Sequence, residues 1–137
     1  MQNKVWGVSE SAYNEFDVNL GYKYYAFGLK SAAVKKKEQD DKVISPYSSL
    51  MASNYFPEEV YQNMERMKKI GMWGMYGLYE AYDFTEGREG IVKSYMAHHM
   101  GMALCGIANL LEEDFISKIF SNMPMLQGVK LMLTQRP

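Results

Sequence analysis

Acidic side chains placed among aromatic residues are the groups in this sequence best suited to chemistry. Glu10 lies in the glycine-containing segment WGVSESA at 6–12, and Glu80 and Asp83 lie among large aromatics in the segment 76–83. An apolar environment disfavours the ionised carboxylate and raises its pKa, as a general acid requires. Glycoside chemistry commonly uses two carboxyl groups across the scissile bond, one protonated and one ionised. The segment 76–83 is equally compatible with a surface loop that carries incidental acids.

The two histidines, His98 and His99, are neighbours in the sequence. Adjacent residues on a helix point about 100° apart, so the pair does not have the i, i+4 spacing with which two histidines face one metal ion. No phosphate-binding glycine loop or nucleotide-binding fingerprint is present in the sequence. We therefore predict neither a metal nor another cofactor. One of the two histidines is expected to line a pocket and to hydrogen-bond a substrate, and the other to cap or pack.

The elements that must position these groups are predicted to be helices. Ser45 and Pro46 form a typical N-cap and first-turn pair, and apolar residues follow them with a helical period. Pro57 restarts the pattern, which ends at Gly71. Further helices are expected over 91–111, 115–120 and 124–135. Residues 1–44 are expected to be loop-rich, with one helical segment across 13–25, and no convincing strand is predicted. The predicted class is all-α, in a single domain over 1–137 with a helical part at 45–137.

Composition narrows the class of function. The formal net charge is −1, with 15 basic and 16 acidic residues, which argues against a nucleic-acid-binding protein. No window reaches the ~18–20 apolar residues of a membrane span, so no direct membrane contact is expected. Aromatics make up 14% of the chain, including 11 Tyr and 2 Trp. Such rings pack against sugars while their polar tips bond hydroxyls, and they serve equally well as core residues.

Five motifs in order resemble the glycoamylase-type region of cyclic β-1,2-glucan synthases. The segment 6–12 is similar to W-G-[IV]-S-E-S-A of that family, and 24–28 (YYAFG) is similar to its Y-x-x-F-G. Residues 40–47 (DDKVISPY) resemble D-D-x-V-[IV]-A-P-Y, and 76–84 (YGLYEAYDF) resemble Y-G-F-Y-E-A-L-D-Y. Residues 91–102 (IVKSYMAHHMGM) are similar to I-V-R-S-Y-M-A-H-H-Q-G-M. The chain departs from the family at 28–39 and at Met100, where a Gln is usual.

The resemblance implies a partial (α/α)6 toroid of about five helices built from αα-hairpins. It implies action on β-1,2-glucan by transglycosylation with ring closure or by hydrolysis. Glu10 and Glu80 match motif acids and are the expected catalytic pair. The residues expected to bind sugar or to orient an acid lie in these motifs, apart from Trp73, which comes just before the fourth. They are Trp6, Tyr25, Asp41, Trp73, Tyr76, Tyr79, Asp83, Tyr95 and His98.

The resemblance also concerns the context of the chain. A toroid of twelve helices needs on the order of 300 residues, so the chain is expected to be the C-terminal part of that catalytic region. Its partners would be a β-glucan, the remaining helices of the parent enzyme and a second copy that covers exposed apolar faces. The family implies a cytoplasmic location for this region, and the isolated fragment is expected to be inactive. The alternative function is a non-catalytic helical module that binds carbohydrate or protein.

Overall fold

The computed structural model of the chain describes residues 4–25 and 42–134. Groups of short strands and groups of helices follow one another along the described chain. In order they are β1 (Ser11–Phe16), β2 (Tyr22–Tyr25), β3 (Val43–Ile44), α1 (Pro46–Leu50), α2 (Pro57–Lys69), β4 (Trp73–Gly74), β5 (Gly77–Leu78), β6 (Ala81–Asp83), β7 (Gly90–Val92), α3 (Ala97–Leu111), α4 (Phe115–Ser121) and α5 (Pro124–Thr134).

The strands form three small antiparallel sheets. β1 pairs with β2, β4 pairs with β5, and β6 lies between β3 and β7. The prediction of an all-α class is therefore wrong, and with it the partial toroid made only of αα-hairpins, since 19% of the described residues are in strands and 44% in helices. The helix expected across 13–25 is replaced by the β1–β2 hairpin. Five of the seven described strands have two or three residues, too few for the alternation of apolar and polar residues that identifies a strand in sequence, and the burial of β1 does not alternate.

The helix expected from Pro57 to Gly71 is confirmed as α2. Pro57 occupies its first turn together with Glu58 and Glu59, and three basic residues lie in its last turn, so charges of both signs complement the helix dipole. Gly71 follows with φ +86°, a conformation that favours glycine. The helices expected near 115–120 and 124–135 are present as α4 and α5. The helix expected from Ile91 instead begins at Ala97, because residues 90–92 form β7.

The core of the described chain lies between the central sheet and its neighbours. One cluster joins Ala12, Tyr13, Val43, Ala81 and Val92, which come from β1, β3, β6 and β7. A second joins Ile44, Met67 and Met72, so it ties α2 to the sheet. Together the two clusters fix the segment 79–83, which carries Glu80.

Helices α1 and α3 cross at a glycine. An added Cβ at Gly106 would lie 2.8 Å from the Met51 Cα and would also collide with the Leu50 carbonyl oxygen. The close approach of the two backbones therefore depends on the missing side chain. No described helix has both the length and the apolar character needed to cross a bilayer.

Candidate functional site

Backbone hydrogen bonds on both sides hold Glu80 in place before β6. The Glu80 N–H donates to the Ser94 carbonyl at 2.9 Å, and the Ser45 hydroxyl donates to the Glu80 carbonyl at 2.6 Å. The helix α1 does begin after Ser45, as predicted, but the Ser45 side chain makes no capping bond to that helix. Its hydroxyl instead fixes the peptide of the candidate catalytic acid.

The Glu80 carboxyl group is buried against the imidazole of His99. His99 Nδ1 lies 2.8 Å from Glu80 Oε1 and 2.9 Å from Oε2, and the Ala12 N–H donates to Oε1 over 3.4 Å. Only 4% of Glu80 is exposed to solvent. This burial raises the pKa of Glu80 to about 7, and the Ala12 hydrogen bond offsets part of the effect. A carboxyl group with such a pKa is still partly protonated near neutral pH and can act as a general acid.

His99 connects Glu80 to two tyrosines. Its ring stacks on Tyr47 with 3.8 Å between centroids, and its Nε2 lies 3.0 Å from the Tyr24 hydroxyl. Burial lowers the pKa of His99 and favours the neutral imidazole. Sequence reasoning selected His98 and missed His99, Tyr24 and Tyr47. His99, the second histidine of its motif, is buried in the first turn of α3, which begins at Ala97. The prediction of a helix from Ile91 gave no reason to choose His99 over His98.

Glu10 lies near the same histidine but on the exposed side of the cluster. The Tyr47 hydroxyl donates to the Glu10 carbonyl at 3.1 Å, which fixes its peptide. Burial raises the pKa of Tyr24, and the neighbouring Glu10 carboxylate adds to the effect. The structure therefore brings both predicted catalytic acids close to His99: Glu80 bonds its ring directly, and a carboxylate oxygen of Glu10 lies within 4.8 Å of one of its ring nitrogens.

One group of side chains in the described chain has the spacing of a metal site. The ligand atoms of Glu10, His98 and His99 all lie within 4.8 Å of one another. The Tyr24 hydroxyl lies 3.3 Å from His98 Nε2 and 3.0 Å from His99 Nε2, so it already bridges the two imidazoles. The two rings, with centroids 4.0 Å apart, are closer than the helical angle between neighbours suggested. The Tyr24 hydroxyl and the two imidazoles form a hydrogen-bonded cluster beside Glu10, and the absence of a metal stays a prediction.

A cavity of about 170 Å³ opens beside Glu80. Its walls combine aromatic rings with apolar side chains from α1 and α3 and with the buried acid and imidazole. The aromatic and ionisable lining residues are Tyr47, Trp73, Tyr79, Glu80, Tyr95 and His99. Tyr79 and Tyr95 lie 5.3 Å apart between centroids, and an added Cβ at Gly74 would collide with both. Gly74 thus allows the aromatic wall to close.

Three of the predicted sugar-binding aromatics, Trp73, Tyr79 and Tyr95, line this cavity. Tyr76 lies at its edge, with its ring 5.6 Å from that of Tyr95 and 71% of the residue exposed. His98 is exposed and lines a separate hollow of about 400 Å³ on α3.

Other predicted binding residues lie elsewhere. Trp6 is half-buried, with its backbone bonded to the side chain of Asn63. The Tyr25 ring packs on Tyr13 at 4.8 Å. Asp41 lies outside the described residues.

Asp83 is buried in the sheet. Its carboxylate accepts hydrogen bonds from the backbone N–H groups of Asn14 and Thr85, at 3.3 and 2.9 Å, and lies 3.6 Å from Arg88 Nε. These bonds tie β1 and the turn after β6 to the central sheet. The two acids of the segment 76–83 are thus separated by environment, since Glu80 faces the cavity and Asp83 holds strands together.

Comparisons with known proteins identify relatives that act on glucans. Residues 1–124 match the family described as "Glycoamylase: Putative glucoamylase". The chain is 34% identical over 137 residues to the cyclic beta-(1,2)-glucan synthase NdvB of Rhizobium meliloti (strain 1021). That match covers 96% of this chain and 5% of the synthase.

Solved structures with a similar fold include a β-1,2-glucanase and a protein described as a putative glucoamylase. The endo-beta-1,2-glucanase from Chitinophaga pinensis, in complex with sophorotriose and glucose, matches 90% of this chain with a TM-score of 0.59 and 26% identity. A "putative glucoamylase" from Bacteroides uniformis ATCC 8492 matches 91% with a TM-score of 0.63 and 26% identity. This chain covers 26% and 27% of those two chains. It therefore spans about a quarter of their length and a far smaller part of the synthase.

Proposed function

Since this chain belongs to the glycoamylase family, we propose that it forms part of an enzyme domain that cleaves or transfers the glucosidic bonds of β-1,2-glucan. The observation that carries the proposal is the buried Glu80 carboxyl group, whose pKa is raised to about 7, at the wall of an aromatic cavity. Relatives named as a β-1,2-glucan synthase and an endo-β-1,2-glucanase support the choice of substrate.

Glu80 is the proton donor in this proposal. Breaking a glucosidic bond requires a proton on the departing oxygen, and a carboxyl group kept neutral by burial supplies it. The exposed carboxyl group of Glu10 is the second acid of the pair. It activates the incoming water or sugar hydroxyl, or attacks the anomeric carbon itself, while Glu80 protonates the leaving group. The environments of the two acids support this division of roles, because one is buried and the other faces solvent.

The cavity supplies the sugar contacts. Trp73, Tyr79 and Tyr95 offer flat apolar faces to the C–H groups of a glucose ring, and the tyrosine hydroxyls offer hydrogen bonds to its hydroxyl groups. The remaining predicted contacts stay proposals; they are Trp6, Tyr25, Asp41, Tyr76, Asp83 and His98. Among them, Tyr76 has the strongest support because its ring touches the cavity wall.

The isolated chain is proposed to bind sugar without turnover. Its cavity of about 170 Å³ is smaller than the roughly 300–1,000 Å³ of typical ligand pockets, so it holds little more than one sugar ring. We propose that further helices of a larger enzyme, with this region on the cytoplasmic side, complete the cleft. Apolar side chains of α4 and α5 support such contacts, and in an isolated sample a second copy would cover them; they include Phe115, Ile119, Phe120, Met125, Met132 and Leu133.

A titration with linear β-1,2-gluco-oligosaccharides tests the proposed function. We expect saturable binding that perturbs NMR signals of residues 76–83. Trp73→Ala, at the cavity wall, should weaken binding by about tenfold. The matched control is Tyr61→Ala, because Tyr61 is an aromatic residue on the exposed face of α2 and is 63% exposed against 57% for Trp73. Equal affinities of the two variants would contradict the assignment of the cavity as the sugar site.

A further inference from the structure

Trp73 is the most exposed of the three proposed sugar-binding aromatics that line the cavity. It lies on β4, at the base of the β4–β5 hairpin, and 57% of it is accessible to solvent, whereas Tyr79 and Tyr95 are half-buried. Among the described residues, no other aromatic ring stacks on the indole. Because ordering a free side chain costs affinity, the orientation of the indole toward a sugar depends on a further contact.

Lys68, in the last turn of α2, supplies such a contact. Its Nζ lies over the Trp73 ring, 5.7 Å from the ring centroid, which is within the range of cation–π attraction. In the described part of the chain, no carboxylate lies within ion-pair distance of the Lys68 ammonium group. The indole is therefore the partner of this charge, and tryptophan is the aromatic side chain that attracts a cation most strongly.

The turn between α2 and β4 brings these two side chains together. Gly71, with φ +86°, follows the helix, and its N–H donates to the Lys68 carbonyl at 3.0 Å. Met72 is fully buried, and its N–H donates to the Met67 carbonyl at 3.1 Å. The same turn thus fixes the backbone at both ends of the contact. The contact therefore costs only the ordering of the Lys68 and Trp73 side chains.

The hairpin itself is held by the aromatic wall of the cavity. Gly74, next to Trp73, packs so closely on Tyr79 and Tyr95 that an added Cβ would collide with both rings. The Tyr76 N–H donates to the Tyr95 hydroxyl over 3.4 Å. These contacts fix the backbone of the hairpin and leave the indole free to turn. A cation over one face of the indole leaves the opposite face for the C–H groups of a sugar ring.

We propose that Lys68 is a positioning residue that holds the Trp73 indole in the orientation in which its free face packs on a glucose ring. The proposal rests on the proposed function, because it assigns a role to a residue behind the sugar site. Lys68 acts on the sugar only through Trp73, so its removal weakens binding. A purely electronic effect has the opposite sign, since a cation draws electron density away from the ring face that attracts sugar C–H groups.

NMR of the full chain tests the contact in the absence of sugar. The chain has two tryptophans, so Trp73→Ala assigns the indole N–H signal of Trp73. Lys68→Met removes the charge, keeps an unbranched side chain and should shift that signal. Lys69→Met is the control, because it removes a charge from the same helical turn, and it should leave the signal unchanged. An indole signal that is the same in Lys68→Met as in the wild type would overturn the proposal, whether or not the chain binds glucan.

The affinity for linear β-1,2-gluco-oligosaccharides, measured by calorimetry, gives the second readout. Lys68→Met should weaken binding about two- to fivefold, the value of an exposed cation–π contact, whereas Lys68→Arg should keep the wild-type affinity. In a Trp73→Ala background, Lys68→Met should have no further effect, because Lys68 acts through the indole. Binding that is lost in Trp73→Ala but is equal or tighter in Lys68→Met than in Lys69→Met would overturn this proposal and leave the proposed function standing.

Discussion

The region around Glu80 buries several polar side chains, whereas the C-terminal helices α4 and α5 expose large apolar ones. Between β1 and the first turn of α3, Asn63, Glu80, Asp83 and His99 are each at most 4% exposed, and each is hydrogen-bonded. In α4 no residue is buried, and most of the large apolar side chains of α4 and α5 are more than half exposed. Buried polar groups need exact partners, so the first region is specified by its own contacts. The second presents a surface whose partners come from elsewhere.

The largest expected difference is between two methionines. Met67→Ala should lower the free energy of unfolding by about 2–5 kcal/mol, because Met67 is fully buried and its loss leaves a cavity. Met132→Ala on α5, where the residue is 75% exposed, should change it by less than about 0.5 kcal/mol. Urea unfolding of both variants measures the contrast. Similar costs would mean that α5 is packed as tightly as α2.

The second difference concerns pH. Folding raises the pKa of Glu80 from 4.5 to about 7, so its stabilising contribution is complete below pH 4.5 and is lost as the pH rises through 7. Relative to Glu80→Gln, the wild type should therefore lose up to about 3 kcal/mol between pH 4.5 and about pH 8. The lowered pKa of His99 acts in the opposite sense below pH 6.5, and it largely cancels because both proteins contain His99.

Unfolding experiments across this pH range provide the measurement. The control is Glu86→Gln, at an exposed position in the turn between β6 and β7, which should give a difference that does not vary in the same way. A Glu80→Gln difference independent of pH would contradict a buried, neutral Glu80.

Alanine substitutions at two glycines test how closely each region packs against its neighbours. Gly106→Ala should destabilise the protein by about 1–3 kcal/mol, because the new Cβ meets the backbone of residues 50 and 51. Gly128→Ala on α5 has open space around it and should stabilise the helix by about 0.5–1 kcal/mol. Thermal unfolding distinguishes the signs. Destabilisation by both substitutions would show that α5 is covered.

The smallest effect on stability and the clearest on assembly is expected at the exposed apolar surface. Phe120→Glu combined with Leu133→Glu should change the free energy of unfolding by less than about 0.5 kcal/mol per site, since both residues are more than half exposed. The same pair should abolish the self-association of the isolated chain, measured by light scattering over a range of concentrations. A wild-type chain that stays monomeric throughout would contradict the proposed role of this surface.

Sequence predicted the helices better than the sheets. Pro57, the acids after it and Gly71 mark α2 because local chemistry decides where a helix begins and ends. Strands of two or three residues, such as β3 and β6, are defined by partners about 40 residues away in the chain, and no local pattern indicates them. The same limit explains why the start of α3 was predicted too early: the first residues of the predicted helix form the edge strand β7 instead.

The candidate site was predicted only in part, because local motifs identify some of its residues and long-range contacts bring in the others. Glu80, Trp73, Tyr79 and Tyr95 lie in motifs and line one cavity. Asp83, only three residues from Glu80, belongs to an ion pair with Arg88, because alternate positions in a strand face different surroundings. His99 and Tyr24 were missed because their contacts span 19 to 75 residues of sequence. Only the folded chain shows that His99 bonds Glu80 and lies near Glu10.

A carboxyl ¹³C NMR titration of the glutamates, with and without a linear β-1,2-gluco-oligosaccharide, shows directly whether Glu80 is a neutral acid at a sugar site. We expect one carboxyl group with a midpoint near 7, absent in Glu80→Gln and shifted when the sugar is added. If every glutamate instead titrates near the usual value of about 4.3, or if the sugar leaves Glu80 unchanged, then Glu80 is not the neutral acid of a glucan site.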